Sequence, residues 1–310
     1  MGERRLRARP VSAAIALPFR VGARTLWRIR RQLQRVSLTL DQARSGTVPA
    51  LPDACGDGYL IVSLAEASLA PLLADRPGLK PFVRQRYPRF FASLDLGFDA
   101  YLAGFSAKSR STLKRKVRKL AERCGGTLDL RCYRTASEAE EFHRHARAVS
   151  AISYQERLLD AGMPDGEAAL ADLRARAARD AMRGWVLFLD ERPISYLYAP
   201  AEGTTLVYAF LGYDPAHADL SPGTVLQFEA MRQLMEEGRF RLFDFTEGEG
   251  QHKRLFSTGE VACVDLLLLR PTVSNLAVGW SLTGFDRAVA VAKSLARHRT
   301  LEGLARRLRR

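Results

Sequence analysis

Cysteine and histidine are scarce in this sequence, four and five of 310 residues, and neither type clusters. Cys55, Cys124, Cys132 and Cys263 show no CxxC spacing and no dense framework. That argues against a disulfide-stapled fold and a thiolate zinc site, and fits a reduced, cytoplasmic setting. His143 and His145 stand two apart on an expected helix, so they point to different faces and do not chelate; no metal is expected. No apolar run approaches the ~18 to 20 residues that a spanning helix needs. Arg4 to Arg9 followed by Val11 to Phe19 has the outline of a signal peptide, but Arg20, Arg24, Arg28, Arg30 and Arg31 follow at once. A basic amphipathic arm is the better reading. The sequence also lacks a GxSxG elbow, a GxxxxGK(S/T) loop and a GxGxxG fingerprint, which removes three common catalytic and nucleotide signatures.

Acidic residues are missing chiefly at the ends. Net charge is +14, but residues 1–36 hold ten arginines against Glu3 alone, and residues 271–310 hold eight basic groups against Asp286 and Glu302. The ends thus carry +9 and +6, and the 37–270 body is left near −1. A neutral body disfavours nucleic acid as a partner, while basic ends suit an anionic surface such as the inner face of a membrane.

Leu26, Ile29, Leu33 and Val36 have helical spacing with arginines between, and Gly46 to Gly58 is rich in loop formers, so 1–57 reads as a helical basic arm and linker. Strands are expected at Tyr59–Leu64 and Arg89–Leu96, and a short helix at Glu66–Asp75. Leu113, Val117, Leu120 and Cys124 stripe a helix over Lys108–Arg123, whose other face is basic; it is either a solvated face or a seat for an anion. A strand at Leu128–Tyr133 and helices at Ser137–Leu159 and Glu167–Met182 follow. From Trp185 the pattern becomes a meander: strands Trp185–Leu189, Ile194–Ala199 and Thr205–Tyr213 joined by short polar turns. A helix from Pro222 to Glu237, a strand Arg241–Phe245, a helix Gln251–Phe256 and a strand Ala262–Leu269 complete the body. Val278, Leu282, Phe285 and Val289 form one stripe of a C-terminal helix that either packs on the domain or meets a membrane.

Two segments carry chemistry. Asp219-Leu220-Ser221-Pro222-Gly223-Thr224 follows a strand and opens a largely buried helix, where unpaired amides suit a diphosphate; plain capping is the bland alternative. The second is Phe243-Asp244-Phe245-Thr246-Glu247-Gly248-Glu249-Gly250-Gln251-His252-Lys253, where a strand ends at an acid and a short helix bears His252 and Lys253. Asp244, Glu247 or His252 could take a proton from an attacking group, and Lys253 could pair with an anion. A polar loop with Asp244 capping a turn remains open.

Residues 98–270 resemble the acyltransferases related to the CelD/BioF-like proteins and, more distantly, the Fem-type peptidoglycan aminoacyltransferases. The resemblance rests on Ser109–Lys116, Ser153–Leu159, Gly212–Pro215, Leu220–Gly223, and Phe243–Phe245 with Gly250 and Lys253, in that order. It implies an α+β GNAT fold: a mixed, largely antiparallel sheet flanked by helices, with a reduced GNAT-like half at 58–135, a catalytic core at 136–270 and a helical basic tail at 271–310. It further implies transfer of an acyl group, acetyl in the first instance, from acyl-coenzyme A (acetyl-CoA) to an amine or hydroxyl of a small molecule, glycan or peptide, in envelope or polysaccharide metabolism. The thioester arm would lie along Ala209, Phe210 and Leu211, and the diphosphate at Ser221, Pro222, Gly223, Thr224 and Val225. Tyr208 or Tyr213 could protonate the departing thiolate, each being equally well a strand aromatic in the core or on its rim, and Tyr154, Gln155 and Lys253 would meet the acceptor. The family often has Tyr where His252 stands. Competing readings are a Fem-type transferase using aminoacyl-tRNA and a non-catalytic membrane or scaffold protein on the same frame.

Overall fold

The computed structural model describes residues 13–21, 24–52, 56–153, 162–248 and 250–307, with side chains for all of these except 24, 290 and 293–307. The chain divides into two compact units, residues 1–87 with 262–310, and residues 88–261. Of the segments expected from sequence, 1–57 and 271–310 fall in the first unit, 58–135 is divided between the two, and 136–270 falls in the second up to residue 261.

In the first unit, β1 (Ala13–Val21) pairs antiparallel with β2 (Arg24–Ser37), and β2 runs parallel to β3 (Gly58–Ala65). Strand β3 pairs antiparallel with the Cys263–Leu269 part of β11 (Gly259–Leu269). Helices α1 (Leu40–Arg44) and α2 (Leu69–Asp75) and the long α9 (Val273–Arg307) complete it. Helix α1 starts at a reciprocal cap, Thr39 with Gln42.

The N-terminal segment is a strand hairpin and not the helical arm its spacing suggests. Leu26, Ile29, Leu33 and Val36 satisfy a 3.6-residue period, but they satisfy a two-faced strand equally well. Odd-numbered Ile29 and Leu33 join Leu17 and Phe82 in one core, even-numbered Val36 packs with Leu38 and Ile61 in another, and Leu26 stays exposed. Ile15, Leu17 and Phe19 alternate on β1 against them. Of the C-terminal stripe, Val278 and Leu282 pack into the same core as Leu17 and Leu33, and Phe285 meets Phe19 edge-on at 5.2 Å.

The second unit is built on the sequence β4–β10–β8–β7–β6–β5, with β9 on β7. These are the end of β4 (Lys80–Ser93), then β10 (Leu242–Asp244), β8 (Thr205–Val207), β7 (Arg192–Glu202), β6 (Met182–Leu189), β5 (Asp129–Tyr133) and β9 (Phe210–Tyr213). Pairing is antiparallel throughout except between β8 and β10. Strand β6 is buried along its whole length because helices cover both faces. Trp185, Leu187 and Leu189 point toward α3 (Phe98–Ala103), α4 (Ala107–Arg123) and α7 (Pro222–Glu237). Val186 and Phe188 point the other way, toward α5 (Ala139–Ile152) and α6 (Glu167–Ala177). A run of five apolar residues is what a strand sandwiched between helix layers requires.

Candidate active site

The expected single strand Thr205–Tyr213 is interrupted. Residues 205–207 lie between β7 and β10, and the Tyr208 amide still donates to the Asp244 carbonyl at 2.8 Å. The Ala209 amide then turns to the Tyr198 carbonyl at 3.2 Å, β10 ends at Asp244, and β9 continues with β7 alone. The break is set by where β10 stops, so β9 keeps one edge without a strand partner among the described residues. An open edge of this kind offers backbone donors and acceptors to a ligand.

Helix α7 begins beside that edge. Pro222 fits its first turn, and the preceding Ser221 sits in the left-handed region at φ 54°, with no side chain capping the turn. A non-glycine residue held there stores strain of the sort that gathers at binding sites. The amides of Thr224 and Val225 both donate to the Ser221 carbonyl, at 3.0 and 3.1 Å. Pro222 has no N–H, so the Gly223 amide is the first-turn donor left to a ligand. Packing around Gly223 is close: a Cβ there would lie 3.1 Å from Leu211 Cδ2, which would have to shift slightly, and 3.6 Å from the Tyr213 ring. At the far end Gly238, with φ 64°, stops the helix as expected.

Between β9, the start of α7 and helix α8 (Gln251–Phe256) lies a cavity of about 280 Å³. Tyr208, Leu211 and Tyr213 line one side, Ser221 to Thr224 another, and His252 and Phe256 a third; Gln227 also lines it. The strand and helix segments that the sequence reading singled out therefore meet around one space. Alternation on β9 directs Leu211 and Tyr213 to it, whereas Ala209 and Phe210 pack on the opposite core, Phe210 stacked on Tyr198. Val225 is turned into the core under α7.

The candidate proton carriers separate. The Tyr208 ring lies beside His252, tilted by 40° with centroids 5.8 Å apart, with Phe243 and Phe245 behind it. Burial, and then nearby Tyr196, raise the Tyr208 phenol above its ordinary value, so it stays a proton donor at neutral pH. Burial, and then the Lys253 ammonium, push the His252 imidazole down, which favours the neutral ring that can accept a proton. Asp244 is elsewhere: fully buried, its carboxylate held by Arg89 Nε at 3.1 Å and Nη2 at 2.5 Å, and by the Thr246 amide at 2.8 Å. Glu247 is exposed on the following turn, and its carbonyl accepts from Lys253 Nζ. Lys253 is lowered by burial, against the pull of Glu247 and Asp244. Tyr154 and Gln155 lie outside the described residues. Among those described, no three His, Cys, Asp or Glu converge as a metal site, and no helix is long and apolar enough to cross a membrane.

Two residues escaped the sequence reading. Arg89, 155 positions from Asp244, left no local signal. Gln227 did leave one, as the only amide in the apolar run from Val225 to Phe228.

No curated protein matches this sequence significantly. Among solved structures, FemX is similar with a TM-score of 0.51 at 10% identity, over 86% of this chain and 90% of its own. The C-terminal domain described as a lysylphosphatidylglycerol synthetase from Agrobacterium fabrum is similar at TM-score 0.49 and 13% identity, over 74% and 72% of the two chains. A GCN5-related N-acetyltransferase from Kribbella flavida gives 0.37 and 16%, over 69% of each. At 10% identity the likeness to FemX concerns the fold alone. Residues 107–254 match the family model of the acetyltransferase (GNAT) domain. Just under half of the chain is thus similar to a GNAT-type acetyltransferase domain, and its fold is a GNAT-like mixed sheet flanked by helices.

Proposed function

We propose that this domain moves an acyl group, acetyl in the first instance, from acyl-coenzyme A to an amine or hydroxyl of a small molecule, glycan or peptide. One observation carries the reading: the free edge of β9 and the uncapped start of α7, with its Gly223 amide, open on the same cavity of about 280 Å³. The residues present fit such a ligand. Gly223 leaves the helix start bare of any side chain, and a helix N-terminus favours phosphate. Lys119 ties the preceding segment to α4, donating to the Asp219 carbonyl at 3.0 Å and pairing with its carboxylate at 3.2 Å.

The bound thioester supplies an activated acyl group. The protein's part is positioning and proton handling. Open N–H groups of β9 polarise a carbonyl laid against them. His252, neutral at physiological pH, draws the proton from the attacking amine or hydroxyl, directly or through water. Tyr208, kept protonated by burial, returns a proton to the leaving group. Asp244 is assigned a structural task, because Arg89 and the Thr246 amide occupy its carboxylate. The finer kinship with CelD/BioF-like proteins belongs to this proposal and rests on the sequence blocks quoted above.

The same reading sets the enzyme at an anionic inner membrane face. The β1–β2 hairpin exposes Val21, Leu26 and Trp27, the last at 68%, among exposed Arg20, Arg28 and Arg30. Apolar side chains fringed by cations suit a phospholipid interface.

Thermal-shift measurements against a panel of acyl-coenzyme A thioesters test the function. A ligand of this site adds RT ln(1 + [L]/Kd) to the unfolding free energy, so the melting temperature rises with its concentration. No shift with any thioester, alongside a shift or turnover with aminoacyl-tRNA, would move the assignment to the Fem-type reading.

A further inference from the structure

The Gln227 side chain is the most anomalous polar group beside the cavity. It is 1% exposed, and neither its Nε2 nor its Oε1 has a hydrogen-bond partner. An unsatisfied buried amide costs roughly 1–3 kcal/mol, and native proteins rarely keep one without a use for it. Apolar side chains of the same size would pack at this position with no such penalty, as Leu226, Phe228 and Met231 do around it. Yet Gln227 lines the space shared by Tyr208, Leu211, Gly223 and His252. It stands four residues after Gly223 and three after Thr224, so the three share one face of α7, with Gln227 about one turn, roughly 5 to 6 Å, further along the axis than the diphosphate-binding start.

The chemistry of the group narrows what it reads. A carboxamide presents a donor and an acceptor and carries no charge. A phosphate could engage only its N–H groups and a cation only its oxygen, leaving the other atom still unpaired. A chain with successive amide bonds offers both an N–H and a C=O in the same stretch. Resting on the acyl-coenzyme A reading above, we infer that Gln227 recognises the amide-bearing arm that links the diphosphate to the thioester. Its Oε1 accepts from an arm N–H, and its Nε2 donates to an arm carbonyl. The arm is thereby held between α7 and the open edge of β9, and Gln227 selects thioesters carried on such an arm over simpler ones.

The test uses the full chain and the near-isosteric variant Gln227→Met, with Gln227→Leu as a second replacement. Calorimetry is run with three probes: coenzyme A, pantetheine, which has the amides without the nucleotide, and adenosine 3′,5′-bisphosphate, which has the nucleotide without the amides. Loss of one to two neutral hydrogen bonds predicts about tenfold weaker coenzyme A binding. Pantetheine binding should weaken by the same factor and bisphosphate binding should not change. The free variants should melt at the same temperature as the parent or higher, because the unpaired amide is gone. Unchanged coenzyme A affinity in both variants overturns the inference, as does equal weakening of the bisphosphate. A parent chain that binds none of the three probes refutes the acyl-coenzyme A reading itself, a result visible before any variant is made.

Discussion

Removing the Asp244 carboxylate should unfold this protein more readily before it does anything else. Asp244 is fully buried and Arg89 is 7% exposed, and they are joined by contacts of 3.1, 3.2 and 2.5 Å. In Asp244→Leu the Arg89 guanidinium loses its carboxylate in a site too dry to rehydrate it, and the Thr246 amide loses its acceptor. Breaking one partner of such a pair costs about 3–5 kcal/mol. Replacing both, as Arg89→Met with Asp244→Leu, removes the buried cation as well, and the double variant should recover much of that loss. Urea unfolding of the parent, the two single variants and the double variant gives the coupling directly, provided the slope m stays constant. The reasoning fails if Asp244→Leu costs less than about 1 kcal/mol while acyl transfer collapses, since Asp244 would then be a proton acceptor and not a structural anchor.

Two further outcomes follow from the same geometry. His252 is pushed below the ordinary histidine value of 6.5, so its neutral, proton-accepting form persists past that pH and is lost only on further acidification. The rate should therefore be level with respect to this group near neutrality and fall on acidification; His252→Gln should lose about 100-fold or more and lose the acid limb with it. A limb unchanged in the variant would assign it to another group. For the hairpin, Trp27→Ser combined with Leu26→Ser should weaken binding to vesicles rich in acidic lipid while leaving melting unaffected, because both side chains are exposed. Equal binding by parent and variant would remove the interfacial role.

Much of the second unit was legible because its signals are local. The run from Trp185 to Leu189 marks a strand between two helix layers, and Pro222 and Gly238 bracket α7 within a residue of the reading. What could not be read depends on partners distant in sequence. The break at Tyr208–Ala209 arises because β10 ends at Asp244, some 35 residues later, and nothing between 205 and 213 announces it. The N-terminal hairpin is hidden in the sequence because an i, i+3, i+7, i+10 pattern fits a helix stripe and a strand with two buried faces alike. At the site, the Ser221–Gly223 turn and His252 were visible as motifs. Arg89 was not, since its partner is chosen only by folding. The purpose of Gln227 emerges only once its amide is seen to be buried and alone.

The most direct test of the account is calorimetry of acetyl-coenzyme A on the full chain and on Gly223→Trp. The present geometry leaves 3.1 Å between a Cβ at residue 223 and Leu211, so an indole there must project into the cavity and cover the Gly223 amide. The account predicts saturable binding to the parent, loss of detectable binding in the variant, and an unchanged circular dichroism spectrum. Equal affinity in the two proteins would contradict it.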